Sequence, residues 1–331
     1  MKTFDFIIPC KNIIIIYKKN TVITNQLDFF INKKLKKNLI SGHISNQNLN
    51  IFKKILSNIH TLIEFWKFKK KIDKQYLINL YNSFNNKYDL VIIKFNYKSI
   101  FFDYKNQLIK KIFKNDFQDT NINLINEISN YINTSFIKIK KNLIIERFID
   151  GNSFYNSKNN FQNLEKIYLS SINRISHPFD DDLKLLDISR NIIKSIKDNK
   201  DVLYFKNLNQ LLIDNLKKFK FVVSYNDCSL HNLIIKNDRL YYIDINPRKI
   251  SIAPTFYEFF CLIISSKVEY DIKFNKSFMI IAKRFSNEIN IKKQSVDLLL
   301  YSTIVFMVYY NKINLNSINA WLNKTFDKSS F

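Results

Sequence analysis

Residues 221–248, FVVSYNDCSLHNLIIKNDRLYYIDINPR, place three polar side chains at the ends of short apolar runs. The run FVVS leads into Asp227, and Asn232 follows five residues later. An apolar strand is expected at 233–235, a polar turn at 236–239 and a second strand at 240–243, ending on Asp244. Two short strands joined by a polar turn form a hairpin. Such a hairpin brings Asn232 and Asp244 together at its open end.

Two hard oxygen ligands in that position suit Mg2+, which takes one or two protein oxygens and completes its shell with water and nucleotide phosphates. Asp227 then remains as a base. In phosphoryl transfer the protein aligns a hydroxyl with a phosphate, a carboxylate accepts the proton, and metal offsets the developing charge. The spacing D-x4-N-x11-D supplies a residue for each role.

YNDCSLHN followed by YYIDINP resembles the H-x-D-x4-N and I-D motifs of the aminoglycoside phosphotransferase and choline kinase superfamily. The resemblance implies an α+β, protein-kinase-like two-lobed fold, with a small antiparallel-sheet N-lobe and a mainly helical C-lobe. It implies ATP and Mg2+ as cofactors, Asp227 as catalytic base, and Asn232 and Asp244 as metal ligands. It further implies that Lys111 on a third strand, with Lys110 as a substitute, pairs with Glu127 sixteen residues on in a helix to hold the nucleotide phosphates. IIERFIDG at 144–151 resembles the interlobe segment whose backbone meets adenine, with Glu146 and Phe148 as its contacts. Glu258, after the metal-binding aspartate, matches an acidic residue that braces the catalytic loop. Two departures stand out: Tyr225 occupies the usual histidine position, and no glycine lies between Gly42 and Gly151.

Outward from the motif, 90–114 reads as three strands of a meander, 121–132 as a helix burying Ile122, Ile125, Ile128 and Ile132, and 143–151 as a further strand. Residues 163–176, 183–197 and 208–219 read as helices, and the tail from 255 to 322 extends a helical lobe. The expected domains are an N-terminal extension of unknown role at 1–87, a kinase-like N-lobe with hinge at 88–151, and a C-lobe at 152–331. Within the extension, Ile51 to Trp66 and Tyr76 to Phe84 recur at helical spacing.

The net charge of +24 would suggest nucleic acid if the Lys and Arg were segregated. Here Lys, Asn, Ile, Phe and Tyr are inflated throughout while only two glycines occur, a pattern of AT-rich codon bias, so no nucleic-acid partner is expected. Three widely spaced cysteines suggest neither a disulfide framework nor a zinc site and fit a cytoplasmic location. The N-terminus makes a poor signal peptide, and the uncharged run at 298–311 is too short to span a bilayer. The expected partner is a small-molecule hydroxyl acceptor: a sugar, an amino alcohol such as choline, or a polysaccharide precursor. A nucleotide-binding pseudokinase, favoured by the missing glycines, and a basic nucleic-acid-binding protein are the alternatives.

Overall fold

In the strand LIKKIF, Ile109, Lys111 and Phe113 turn to the buried face while Leu108, Lys110 and Ile112 lie half-buried on the other, the two-residue alternation of a pleated strand. The alternation decides between the two candidate lysines: Lys111 is the interior one. The computed structural model describes residues 6–10, 13–17, 90–94, 98–103, 106–149, 151–154, 160–196, 199–229, 232–270, 276–290 and 295–326. The chain forms two compact units, one of residues 1–117 with 135–150, the other of 118–134 with 151–331.

The first unit is built on strands β1 (Phe6–Cys10), β2 (Ile13–Tyr17), β3 (Leu90–Lys94), β4 (Lys98–Asp103) and β5 (Leu108–Phe113). After β6 (Asn133–Thr134), which belongs to the second unit, it continues with β7 (Phe136–Lys140) and β8 (Leu143–Arg147). Its sheet runs β1-β2-β3-β4-β5-β8-β7, with every neighbouring pair antiparallel. The expected meander is β3–β5 and the further strand expected at 143–151 is β8; β1, β2 and β7 enlarge the sheet. Ile100, Phe102, Phe113 and Ile144 are fully buried in it, and Phe113 packs edge-on against Phe117 at 4.9 Å.

The second unit holds α1 (Asp119–Ile128), β9 (Asn152–Ser153), α2 (Asn160–Ile172), α3 (Asp182–Ser195) and α4 (Asn199–Asn215), then β10 (Phe221–Tyr225), β11 (Leu233–Lys236), β12 (Arg239–Tyr242) and β13 (Ile250–Pro254). It closes with α5 (Tyr257–Tyr270), α6 (Lys276–Glu288), α7 (Ser295–Tyr309) and α8 (Ile318–Phe326). Helix α7 is buried on all sides from Leu298 to Val308 and packs against α3, α4, α5, α6 and α8. A helix apolar around its whole circumference takes the centre of a bundle. Among the described residues, no helix is long and apolar enough to cross a membrane.

The α+β class is as expected, a sheet unit and a mainly helical unit. The boundaries differ from the expected 88–151 and 152–331. Helix α1 buries Ile125 and Ile128 and packs on β10 and β13, so it belongs with the helical unit. Strands β1 and β2, from the expected extension at 1–87, join the sheet; the helices expected at 51–66 and 76–84 lie outside the described residues.

At Gly151 the requirement is steric. Its φ is not positive; instead, a Cβ there would meet Ile234 Cγ2 at 2.6 Å and the Ile235 carbonyl oxygen at 2.7 Å. The glycine admits the close approach of β9 to β11, which pair at Asn152 and Ser153.

Candidate active site

Strand β10 is buried along its length and pairs with β13, Phe221 opposite Pro254 and Tyr225 opposite Ile250. At its end the chain turns through Asn226, whose N–H donates to Lys249 O at 2.7 Å and whose Nδ2 donates to Ser251 Oγ at 2.7 Å. These bonds fix the turn that presents Asp227. Strands β11 and β12 pair from Leu233 opposite Tyr242 to Lys236 opposite Arg239. Their two-residue turn, Asn237-Asp238, has positive φ at both positions, the hairpin turn that Asn and Asp tolerate best.

The ladder extends past the open end of the hairpin, where Ile243 N–H donates to Asn232 O at 2.9 Å. Asn232 Nδ2 donates to the backbone oxygen of Asp227 at 2.7 Å and lies 3.4 Å from the Tyr225 hydroxyl. That hydroxyl donates to the Asp244 carbonyl oxygen at 3.0 Å. Asp244 itself adopts a left-handed backbone, φ 53°, which Asp accepts more readily than most residues. Asp227 and Asp244, through their carbonyl oxygens, and Asn232, through its side chain, thus join one hydrogen-bonded cluster. Tyr225 is its hub. Asn232 is nearly buried, and both aspartates are half-exposed.

Behind the cluster, Glu258 on α5 is fully buried and accepts the Tyr225 N–H at 2.6 Å. Its carboxylate also takes both terminal nitrogens of Arg174, at 2.5 and 2.9 Å, and the Tyr242 hydroxyl at 3.2 Å. Arg174 Nη1 donates further to Val223 O at 2.8 Å. One buried carboxylate therefore ties β10, β12 and the end of α2 together, the bracing role expected of Glu258. Burial opposes the Arg174 charge, but Glu258 outweighs it and raises the pKa; burial, then Glu258, pushes Tyr242 well up.

Sequence reasoning missed Arg174, which carries no local motif. It also missed Lys312, whose ammonium donates to Cys228 O at 3.3 Å and lies 3.1 Å from Cys261 Sγ. Burial opposes the Lys312 charge, but Cys261 and Asp227 raise its pKa overall. Cys228 is buried and its thiol is pushed well up by burial and then by Glu258, so it is a packing residue and not a nucleophile.

In the sheet unit, Lys111 Nζ lies 2.7 Å from Glu146 Oε1, both side chains fully buried. Strand pairing creates this contact, since Lys111 is opposite Ile144 and Ile109 opposite Glu146. Glu127 has a different partner, His177, at 2.7 Å. The expected pairing of Lys111 with Glu127 is therefore corrected: the carboxylate of the lysine is Glu146. At the end of β8, Phe148 N–H donates to Gln107 O at 2.7 Å, so adenine could not take that hydrogen.

The sequence matches no family model and no curated protein. Solved structures similar to the chain include kinases and phosphotransferases. A choline/ethanolamine kinase family protein from Mesorhizobium loti is 11% identical, with a TM-score of 0.45 over 69% of this chain and 84% of that one. The choline kinase of Streptococcus pneumoniae is 13% identical, with a TM-score of 0.44 over 71% and 91%. An aminoglycoside phosphotransferase from Streptomyces rimosus, in complex with ADP and streptomycin, is 11% identical, with a TM-score of 0.39 over 62% and 88%.

Proposed function

We propose that the chain is an ATP- and Mg2+-dependent phosphotransferase acting on a hydroxyl of a small polar molecule, with Asp227 as base and Asn232 and Asp244 as metal ligands. The observation that supports this reading is one chain of hydrogen bonds: the Asn232 side chain donates to the Asp227 carbonyl oxygen and reaches the Tyr225 hydroxyl, which donates to the Asp244 carbonyl oxygen.

The donor set fits the metal. Asn232 commits Nδ2 to Asp227 O, which leaves Oδ1 as its remaining polar atom, and Asp244 adds a half-exposed carboxylate at the same hairpin end. An amide oxygen and a carboxylate are hard donors of the kind Mg2+ takes. When bound, the ion would offset charge on the phosphates of the donor. Asp227 would accept the proton of the acceptor hydroxyl, held in line by the turn that Asn226 pins to Lys249 and Ser251. Lys111, fixed by Glu146, is proposed to meet the α and β phosphates, a preorganised cation and not a mobile one. Use of ATP fits a cytoplasmic location. Sugars, amino alcohols and polysaccharide precursors remain the proposed acceptors.

The test is Mg2+-dependent ATP turnover against a panel of sugars, amino alcohols and aminoglycosides, comparing wild type with Asp227→Asn and Asp244→Ala. Each variant should lose at least ~100-fold in turnover with an accepted substrate, the scale of one general base. ATP binding with no acceptor phosphorylated would replace this reading with that of a nucleotide-binding pseudokinase.

A further inference from the structure

A pocket of about 260 Å³ lies between the β11–β12 turn with strand β12, α2 and the segment following α1. Its lining includes the apolar residues Ile132 and Leu240 together with Tyr242. Its rim is cationic. Lys166 reaches in from α2, steered by a hydrogen bond from its ammonium to the Asp238 carbonyl oxygen. Arg239 comes from the first position of β12 and has no acidic partner among the described residues. Tyr131 also lines the pocket.

We propose that this pocket binds the phosphate group of a small phosphate monoester. Two cations from separate elements line it against the single carboxylate of Asp238, which leaves the pocket net cationic and suited to an anion. The guanidinium offers a planar fork that matches phosphate oxygens, and the Lys166 ammonium retains two N–H groups after its bond to Asp238. The apolar part of the lining distinguishes a monoester from free phosphate, because it would cover the organic part of the ligand.

The site is distinct from the triad. None of Asp227, Asn232 and Asp244 lines it, although Tyr242, two residues before Asp244, does. The two sites are nonetheless connected: Tyr242 lines the pocket and donates to Glu258, which accepts the Tyr225 N–H. The proposal does not rest on the phosphotransferase reading, since its test measures binding and not turnover.

The probe is phenyl phosphate, titrated calorimetrically into the full chain beside inorganic phosphate. Phenyl phosphate should bind saturably and more tightly than inorganic phosphate. Arg239→Ala and Lys166→Ala should each weaken it about 10-fold or more, the scale of one charge-assisted contact. Lys206→Ala, which removes an exposed charge from α4, should leave it unchanged. Circular dichroism of each variant checks that the fold is retained; Arg239 is exposed, so its loss leaves no cavity. Saturable binding that ignores Arg239→Ala, an equal loss on Lys206→Ala, or no preference over inorganic phosphate would each overturn the proposal.

Discussion

The Tyr225 hydroxyl donates to the Asp244 carbonyl oxygen at 3.0 Å, linking the end of β10 to the end of β12. Tyr225 occupies the position where the motif of the resembled superfamily has histidine. Here the phenol reaches across the hairpin mouth and holds a residue whose backbone is in the left-handed region. The same oxygen lies 3.4 Å from the Asn232 amide, so one hydroxyl fixes both proposed metal ligands. This is a positioning role, exerted through the ligands.

Tyr225→Phe tests that role. It keeps the ring packed against Tyr242, at 6.3 Å between centroids, and removes only the donor. Stability should fall by about 1–3 kcal/mol, the cost of leaving a buried polar group unsatisfied. Beyond that loss, the Mg2+ concentration needed for half-maximal ATP turnover should rise. A merely structural tyrosine would lower the melting temperature and leave the metal dependence where it was.

Gly151→Ala should destabilise the helical unit by about 1–3 kcal/mol through overpacking. One clash, with Ile234 Cγ2, could be relieved by trimming that side chain. The other, with the Ile235 carbonyl oxygen at 2.7 Å, is backbone and cannot. Adding Ile234→Ala to Gly151→Ala should therefore fail to restore the melting temperature. Full recovery in the double variant would show that the backbone contact does not matter.

The hairpin could be read from sequence because its determinants are local: short apolar runs on each side of Asn237-Asp238, two residues that tolerate the positive φ the turn imposes. Helices α2 and α3 were legible from equally local signals. The carboxylate partners were not. Arg174 meets Glu258 across 84 residues and Lys111 meets Glu146 across 35, and each contact is set by packing or strand register with no trace in local periodicity. The pairing expected for Glu127 failed on that account. Its spacing from Lys111 was compatible with a pair, but α1 packs on β10 and β13 instead, where His177 meets the carboxylate.

Alkaline pH should unfold the chain cooperatively. Burial pushes Cys228 above its ordinary value of 9.0 and Tyr242 and Tyr257 above their ordinary 10.0, with Glu258 adding to the first two. Each group keeps its proton in the folded state at a pH where the unfolded chain has lost it. Stability from these groups is therefore fully present below about pH 9 and falls as pH rises towards their folded values. Tyrosinate absorbance and helical ellipticity should change together in a pH titration. Ionisation of all the tyrosines near pH 10 with the helical signal intact would contradict the burial described here.

Lys111 and Glu146 allow structure to be separated from chemistry. Removing one member of a fully buried pair strands the other charge, so Lys111→Met should lose about 3–5 kcal/mol. Adding Glu146→Gln removes that stranded carboxylate, and the double variant should recover much of the loss, as seen in chemical denaturation. If the ion pair serves stability alone, ATP affinity should recover with it. If the ammonium holds phosphates, the refolded double variant should still bind ATP at least ~10-fold more weakly than wild type, because no cation has been restored. The double variant therefore decides the role of Lys111 independently of the loss of fold that confounds the single substitution.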